Sequence, residues 1–141
     1  MSEPRKPVGG IPSVIEMLQL MDPASRKKIL FNIAQRDPQL AKKIEADLFS
    51  FEDLVCLSPM MTQALLREVS QPALLLALRN ASDPLKQHLM ANMSKRAAGL
   101  LCEDLAAQTP KRLADVRAAQ DQIMDVAKKL EGEGKLLLKK T

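Results

Sequence analysis

The chain has 141 residues, and 46% of them are hydrophobic, drawn mainly from Leu, Ile, Val, Ala and Met. This composition supports one domain or two small subdomains with a buried core, and it excludes a fully disordered chain. It favours helices over sheets, because strands are enriched in aromatic residues and this chain has three Phe and neither Trp nor Tyr. The net charge of +4 is modest, and the stacking residues that bind single strands are nearly absent, so we expect no nucleic-acid partner.

The same sequence lacks the residues of common catalytic and metal sites. Its two cysteines, Cys56 and Cys102, and its single histidine, His88, are too few for a zinc site, and we expect His88 on a helix surface. No phosphate-binding, dinucleotide-binding or serine-hydrolase motif occurs. No apolar run resembles a secretion signal or reaches the length of a membrane span. We therefore expect a non-enzymatic cytoplasmic protein with no cofactor, no metal and no direct membrane insertion.

Prolines mark the beginnings of the predicted helices. A Ser, Thr or Asp that precedes proline by one or two residues can cap the first turn, and proline fits there because its missing N–H needs no partner. Six such starts occur, at Asp22-Pro23, Asp37-Pro38, Ser58-Pro59, Ser70-Gln71-Pro72, Ser82-Asp83-Pro84 and Thr109-Pro110. With the apolar periodicity they predict helices over residues 12–20, 23–35, 38–47, 59–69, 72–80, 84–92, 95–107 and 111–131.

Two joints interrupt this series of helices. Gly9 and Gly10 make a flexible linker in a tail over residues 1–11, ahead of helices over 12–47. A second joint over 48–57 begins with Leu48-Phe49-Ser50-Phe51 and leads into a helical subdomain over 58–132. The two Phe either fill the core or form a hinge that packs differently in two states. The basic tail over 133–141, with KLLLKK, is a frayed end, a weak strand or a contact segment.

The predicted helix over 95–107 carries an unusual order of charges. Lys95 and Arg96 stand at its start, and Glu103 and Asp104 stand near its end, whereas the helix dipole favours the reverse. An apolar stripe lies beside these charges and comprises Met93, Ala97, Leu100, Leu101 and Leu105. The charges form either an ordinary solvated face or a docking ridge for a partner of complementary charge.

Five segments then occur in a familiar order: VGGI, EMLQLMDPASRKKIL, RDPQLAKKIEADLFSFEDL, LLREVSQPALLLALRNAS and NMSKRAAGLLCEDLAAQTPKRLADVRAAQDQI. With them the chain resembles the C-terminal region of the FliG family of flagellar motor switch proteins, from Val8 to about Leu136. The resemblance implies an all-α fold, an armadillo-like right-handed superhelical array of two small helical subdomains joined by a Phe-containing hinge.

The resemblance also implies roles for particular residues. The family's stator-facing charges correspond to Arg79, Arg96, Glu103, Asp104 and Arg112. Its hinge corresponds to Leu48, Phe49, Ser50 and Phe51, and its linker to Gly9 and Gly10. The armadillo face that stacks on a neighbouring subunit corresponds to Val14, Leu18, Ile29 and Ile33. Departures from the family pattern include Leu48 in place of Met, Cys102 where a basic residue is common and Thr109 in place of Gly.

From the resemblance we expect a rotor protein of the flagellar motor switch that contacts the stator for torque generation and direction switching. Its expected partners are the cytoplasmic loop of the stator and full-length FliG or other switch-ring proteins. The expected location is the cytoplasmic side of the inner membrane at the flagellar basal body. Segments resembling the family's N-terminal and middle domains are absent from this sequence, so the armadillo face is expected to find a partner or to self-associate. The alternative is a FliG-derived adaptor in another motility or cytoskeletal complex.

Overall fold

A computed structural model describes residues 11–107 and 109–138, and this part of the chain contains helices and no strand. The prediction of an all-α fold is confirmed. The helices are α1 (Ile11–Leu20), α2 (Pro23–Arg36), α3 (Pro38–Leu48), α4 (Pro59–Glu68), α5 (Gln71–Ala77), α6 (Asp83–Ala91), α7 (Lys95–Ala107) and α8 (Leu113–Gly132). Two 3₁₀ turns, Phe51–Cys56 and Leu78–Asn80, complete the order. The predicted linker residues Gly9 and Gly10 lie outside the described residues.

Five of the six predicted helix starts are confirmed by their capping hydrogen bonds. The side chains of Asp22 and Asp37 each accept a backbone N–H three residues further on, at 3.1 Å. The hydroxyls of Ser58, Ser70 and Ser82 do the same for α4, α5 and α6, at 3.2–3.3 Å. Proline occupies the first or second helical position in all five. Local cap chemistry therefore decides where these helices begin.

The sixth predicted start, Thr109-Pro110, is wrong. The last helix begins at Leu113, and Arg112 precedes it with extended backbone and no capping side-chain hydrogen bond. The hydroxyl of Thr109 accepts instead from the Arg79 guanidinium, at 2.6 Å. A contact that is distant in sequence has replaced the local cap that the pattern predicted.

The described residues fall into two compact units, 11–49 and 50–138. The first unit contains α1, α2 and α3, with α3 packing on both other helices. Its core is aliphatic apart from Phe49, since Ala41, Ile44 and Leu48 of α3 recur at helical spacing and are buried with Leu18. The boundary between the units falls inside the predicted joint over 48–57, where the sequence did not predict the 3₁₀ turn Phe51–Cys56.

The second unit is organised around α8. This helix of 20 residues packs against α4, α5 and both 3₁₀ turns. Residues three or four apart on it are buried, as expected for a helix with one face toward the core; they are Val116, Ala119, Ile123, Ala127 and Leu130, with Met124 beside them. Leucines from the shorter helices fill the space opposite this face, including Leu65, Leu74, Leu85, Leu89 and Leu101.

The segment after α8 is packed rather than frayed. Gly134 has φ of 76°, and the amide of Lys135 donates to the carbonyl of Leu130 at 2.8 Å, which closes the helix in a Schellman-type cap. The chain then turns back, and the amide of Leu138 donates to the Glu131 carboxylate at 2.7 Å. Leu136 and Leu138 are only 4% and 2% exposed. Residues 135–138 therefore form a contact segment, one of the three alternatives for this tail. Lys139 and Lys140 lie outside the described residues.

Candidate functional site

The charged helix α7 is attached to the second unit by a narrow face. Ser94 caps it by accepting the amide of Ala97 at 3.1 Å, and Leu101 is its one buried residue. Leu100, which the predicted apolar stripe included, is 50% exposed. The helix also has a glycine, Gly99, with open space around the position of a side chain. Most of the surface of α7 therefore faces solvent.

Three of the predicted stator-facing charges lie on this exposed surface. Arg96, Glu103 and Asp104 are exposed, and within the described part of the chain none of them forms an ion pair or a side-chain hydrogen bond. Arg96 and Glu103 are seven residues apart, so they lie on nearly the same side of the helix, roughly 10 Å apart along its axis. No acid occupies the first turn and no base the last turn. The order of these charges therefore does not stabilise the helix through its dipole, and the charges are exposed to another molecule.

A groove of about 820 Å³ opens between α5, α7 and α8 beside these charges. Apolar side chains from Leu75, Leu76 and Leu105 line part of it. Arg79 and Asp104, two of the predicted charges, line the same groove together with Lys111 and Asp115. Arg96 and Glu103 do not line it.

The remaining two predicted charges already have partners in the fold. The half-buried Arg79 donates from one guanidinium nitrogen to both the carbonyl and the hydroxyl oxygen of Thr109. Arg112 donates from Nε to Asp115 at 3.0 Å, with a second contact at 3.4 Å, and its side chain is 84% exposed. An exposed ion pair of this kind contributes little to stability, so Arg112 stays available to a partner. Arg79, in contrast, is hydrogen-bonded within the protein.

The first half of the predicted hinge belongs to the first unit. Phe49 is buried, and the Arg26 guanidinium carbon lies 5.0 Å from its ring centroid. Arg26 is only 5% exposed and donates to the backbone carbonyls of Leu18 and Met21, both at 3.3 Å. The guanidinium thus satisfies the end of α1 while it stacks on the ring. Sequence reasoning missed Arg26, because nothing in its basic surroundings, SRKK, distinguishes it from a surface residue.

The second half of the hinge belongs to the second unit. Ser50 has extended backbone, and the Asp53 carboxylate accepts its amide at 2.8 Å and its hydroxyl at 3.3 Å. This capping box starts the 3₁₀ turn that contains the buried Phe51 and packs on α6 and α8. Glu52 also accepts the amide of Ser82 at 3.0 Å. Phe49 and Phe51 are therefore core residues of different units, and Ser50 lies between them.

The residues of the predicted stacking face are buried or half-buried in this structure. Leu18 is 0% exposed and belongs to the core of the first unit, because α1 turns it toward the other helices. Val14, Ile29 and Ile33 are half-buried. The exposed large apolar side chains of this unit are Met17, Leu20 and Phe31, at 47%, 58% and 63%. The signal for Phe31 was present in the sequence, since it lies two positions from both Ile29 and Ile33 and so on another side of α2.

The few residues with other chemistry have structural surroundings. His88 is half-buried rather than on a helix surface, with Nε2 2.9 Å from the hydroxyl of the fully buried Thr62, so it links α6 to α4. Cys56 and Cys102 are free and exposed. Across residues 11–107 and 109–138, no cluster of His, Cys, Asp or Glu could hold a metal ion. Over the same residues no helix is long and apolar enough to cross a bilayer.

The fold and this surface define an all-α module that carries exposed charges beside a groove. A family model described as the FliG C-terminal domain matches residues 31–138. The chain is 41% identical over 131 residues to the flagellar motor switch protein FliG of Thermotoga maritima, which covers 93% of this chain and 39% of that protein. It is 35% identical over 137 residues to FliG of Borreliella burgdorferi, which covers 97% of this chain and 40% of that protein.

Solved structures agree with the sequence matches. Full-length FliG from Aquifex aeolicus superposes with a TM-score of 0.80 at 35% identity, over 93% of this chain and 41% of that one. A fragment of FliG from H. pylori gives a TM-score of 0.68 at 29% identity, over 95% of this chain and 59% of that one. The chain therefore belongs to the FliG C-terminal domain family, and the resemblance seen in the sequence is confirmed. It spans about two fifths of the length of the curated relatives named here.

Proposed function

We propose that this chain acts in the rotor of the flagellar motor switch and contacts the cytoplasmic loop of the stator through α7, generating torque and setting the direction of rotation. One observation carries the proposal: Arg96, Glu103 and Asp104 are exposed on a family helix and have no partner among the described residues. Arg112, also exposed, extends this charged surface at the start of α8. The proposed role is non-enzymatic and takes place at the cytoplasmic side of the inner membrane, at the basal body.

The physical chemistry of exposed charges suits a contact that moves. An exposed ion pair contributes about 1 kcal/mol or less, so each contact breaks easily. Opposite charges across an interface still steer the encounter and fix its orientation. Charges of both signs, roughly 10 Å apart along α7, let the stator loop meet the helix in a preferred register. Such a surface transmits force through many brief contacts rather than through one tight complex.

The first unit would serve assembly in this proposal. Its exposed side chains Met17, Leu20 and Phe31 supply the apolar area for armadillo-like stacking on full-length FliG, on another switch-ring protein or on a second copy of this chain. Ser50 would be the pivot, because each neighbouring Phe is buried in its own unit. Rotation about this one residue changes the direction in which α7 faces without unfolding either core.

Charge reversal on α7 tests the stator contact. We expect Arg96→Glu and Asp104→Lys to retain the fold, with the free energy of unfolding within about 0.5 kcal/mol of the wild type. Single cells that carry either variant should swim more slowly or lose reversal when they are tracked. An opposite-sign substitution in the stator loop should restore part of the loss, because the contact depends on complementary charge.

The matched control is Lys128→Glu, which reverses an exposed charge on α8 away from the groove. It should swim like the wild type. Wild-type swimming of both α7 variants would refute the stator contact.

A second function remains compatible with the exposed Phe31: a FliG-derived adaptor in another motility or cytoskeletal complex. Such an adaptor requires the apolar surface of the first unit and not the charges of α7. A clean deletion strain distinguishes the two functions. Normal swimming of that strain would favour the adaptor, and loss of speed or reversal would favour the rotor.

A further inference from the structure

Arg79 differs from the other four charges in where its hydrogen bonds go. It belongs to the 3₁₀ turn Leu78–Asn80 and is half-buried. Its Nη2 atom donates to the hydroxyl of Thr109 at 2.6 Å and also to the Thr109 carbonyl. Thr109 lies in the connection between α7 and α8, thirty residues further along the chain. The Nη2 atom of this guanidinium is therefore engaged within the protein rather than with a partner.

The turn that carries Arg79 is itself fixed by α8. The side chain of Gln120 donates to the carbonyl of Ala77 at 2.9 Å and to the side-chain oxygen of Asn80. These bonds connect α8 to the residue before the 3₁₀ turn and to the last residue of the turn, on either side of Arg79. Gln120 of α8 thus holds the turn that contains Arg79, and Arg79 in turn bonds to Thr109 in the connection that precedes α8.

We infer that Arg79 is a positioning residue, which orders the α7–α8 connection through Thr109, rather than a residue that contacts the stator. Thr109 lies five residues after Asp104 and three before Arg112, so fixing it sets the spacing between two of the exposed charges. The connection needs this support, because α8 begins without a capping side chain. The inference rests on the proposed function only for its effect on swimming.

Hydrogen exchange of the purified chain tests the ordering directly. The amides of Asp115 and Val116 both donate to the carbonyl of Arg112, at 3.0 and 3.1 Å, and report on the first turn of α8. Arg79→Gln should speed their exchange about tenfold, because it removes a charged donor from two acceptors. Thr109→Val should act in the same direction by a smaller factor, and the double variant should match Arg79→Gln alone, because both changes remove one interaction.

Two controls accompany the measurement. Lys111→Gln removes a positive charge from the same connection, at an exposed side chain, and should change the exchange by less than about twofold. The amide of Lys135, bonded to Leu130 at the far end of α8, should be unchanged in every variant. Exchange at Asp115 and Val116 that is the same in Arg79→Gln as in the wild type would overturn the inference.

Swimming assays of variant strains distinguish a failure of this inference from a failure of the proposed function. An opposite charge in the stator loop should restore Arg96→Glu and leave Arg79→Glu impaired. Restoration of Arg79→Glu by that change would overturn the positioning role. If neither Arg96→Glu nor Asp104→Lys affects swimming, the proposed function fails, while the exchange result still decides whether Arg79 orders the connection.

Discussion

Two glycines of the second unit occupy opposite backbone environments. Gly99 lies within α7, where an added side-chain carbon would meet no neighbouring atom within 4 Å, and its φ is not in the left-handed region. Gly134 has φ of 76° at the end of α8, where a side chain is strained. The same residue type therefore weakens one helix and ends another.

Alanine substitutions should separate these roles. Gly99→Ala should stabilise the second unit by about 0.5–1 kcal/mol, because alanine loses less conformational freedom in a helix. Gly134→Ala should destabilise it by about 1–2 kcal/mol, because L-residues are strained at positive φ. Urea unfolding followed by circular dichroism measures both, and a shift of the same sign in the two variants would contradict the explanation.

A second prediction at this scale concerns the cap of α2. Hydrogen bonds from the backbone amide and then the side chain of Ser25 hold the pKa of the Asp22 carboxyl below its ordinary value of 3.8. Because the folded pKa is the lower one, the stabilisation is complete above 3.8 and disappears as the pH falls through the folded value. The stability difference between wild type and Asp22→Asn should therefore shrink on acidification, in urea titrations from neutral pH downward. A difference independent of pH would exclude the charged cap.

At the scale of elements, the helices differ in how firmly they are held. α8 buries six residues, whereas α7 buries one. The weakly held helix is the one that carries the exposed charges Arg96, Glu103 and Asp104, and a helix with few buried contacts opens more readily than its neighbours. The packed segment after α8 has the opposite character, since Leu136 and Leu138 close the core of the second unit.

Removing one of these leucines should therefore cost stability. We expect Leu138→Ala to lower the free energy of unfolding by about 2–3 kcal/mol, within the range for truncation of a buried leucine. Leu137→Ala, at the half-buried position next to it, should cost less than about 1 kcal/mol. Urea unfolding gives both values, and equal losses would mean that the segment is not anchored by alternate side chains.

At the scale of the whole molecule, the two small units expose different kinds of surface. The first unit exposes Met17, Leu20 and Phe31, and the second exposes Arg96, Glu103 and Asp104. Apolar area supports lasting association, and exposed charge supports brief contact. In the proposed function the two kinds of surface serve different partners.

Phe31→Asp should therefore abolish stacking while the first unit stays folded, because the side chain is 63% exposed. Leu18→Asp should instead unfold that unit, because a carboxylate would replace a fully buried leucine. Co-purification with switch-ring proteins and circular dichroism of both variants provide the measurements. Undiminished co-purification of a folded Phe31→Asp chain would exclude this surface from stacking.

Local patterns in the sequence were sufficient to predict most of the helix starts and the family. Capping residues, prolines and apolar spacing act within a few residues, so Asp22, Asp37 and Ser58 mark helix starts correctly without knowledge of the fold. Helical spacing also places Arg96 and Glu103 on one side of α7, since seven residues are close to two turns, whereas their expected role came from the family resemblance. The family was evident because its segments stand in order along one chain.

Which of these residues serve the fold depends on contacts that form only when the chain is folded. Arg26 stacks on Phe49, Arg79 bonds to Thr109, and Leu18 lies in the core, and each depends on chain segments far apart in sequence. An arginine that serves the fold and one that faces solvent have the same local pattern. Burial and hydrogen-bond partners distinguish them, because the cost of burying a charge is met only where the folded chain places acceptors around it.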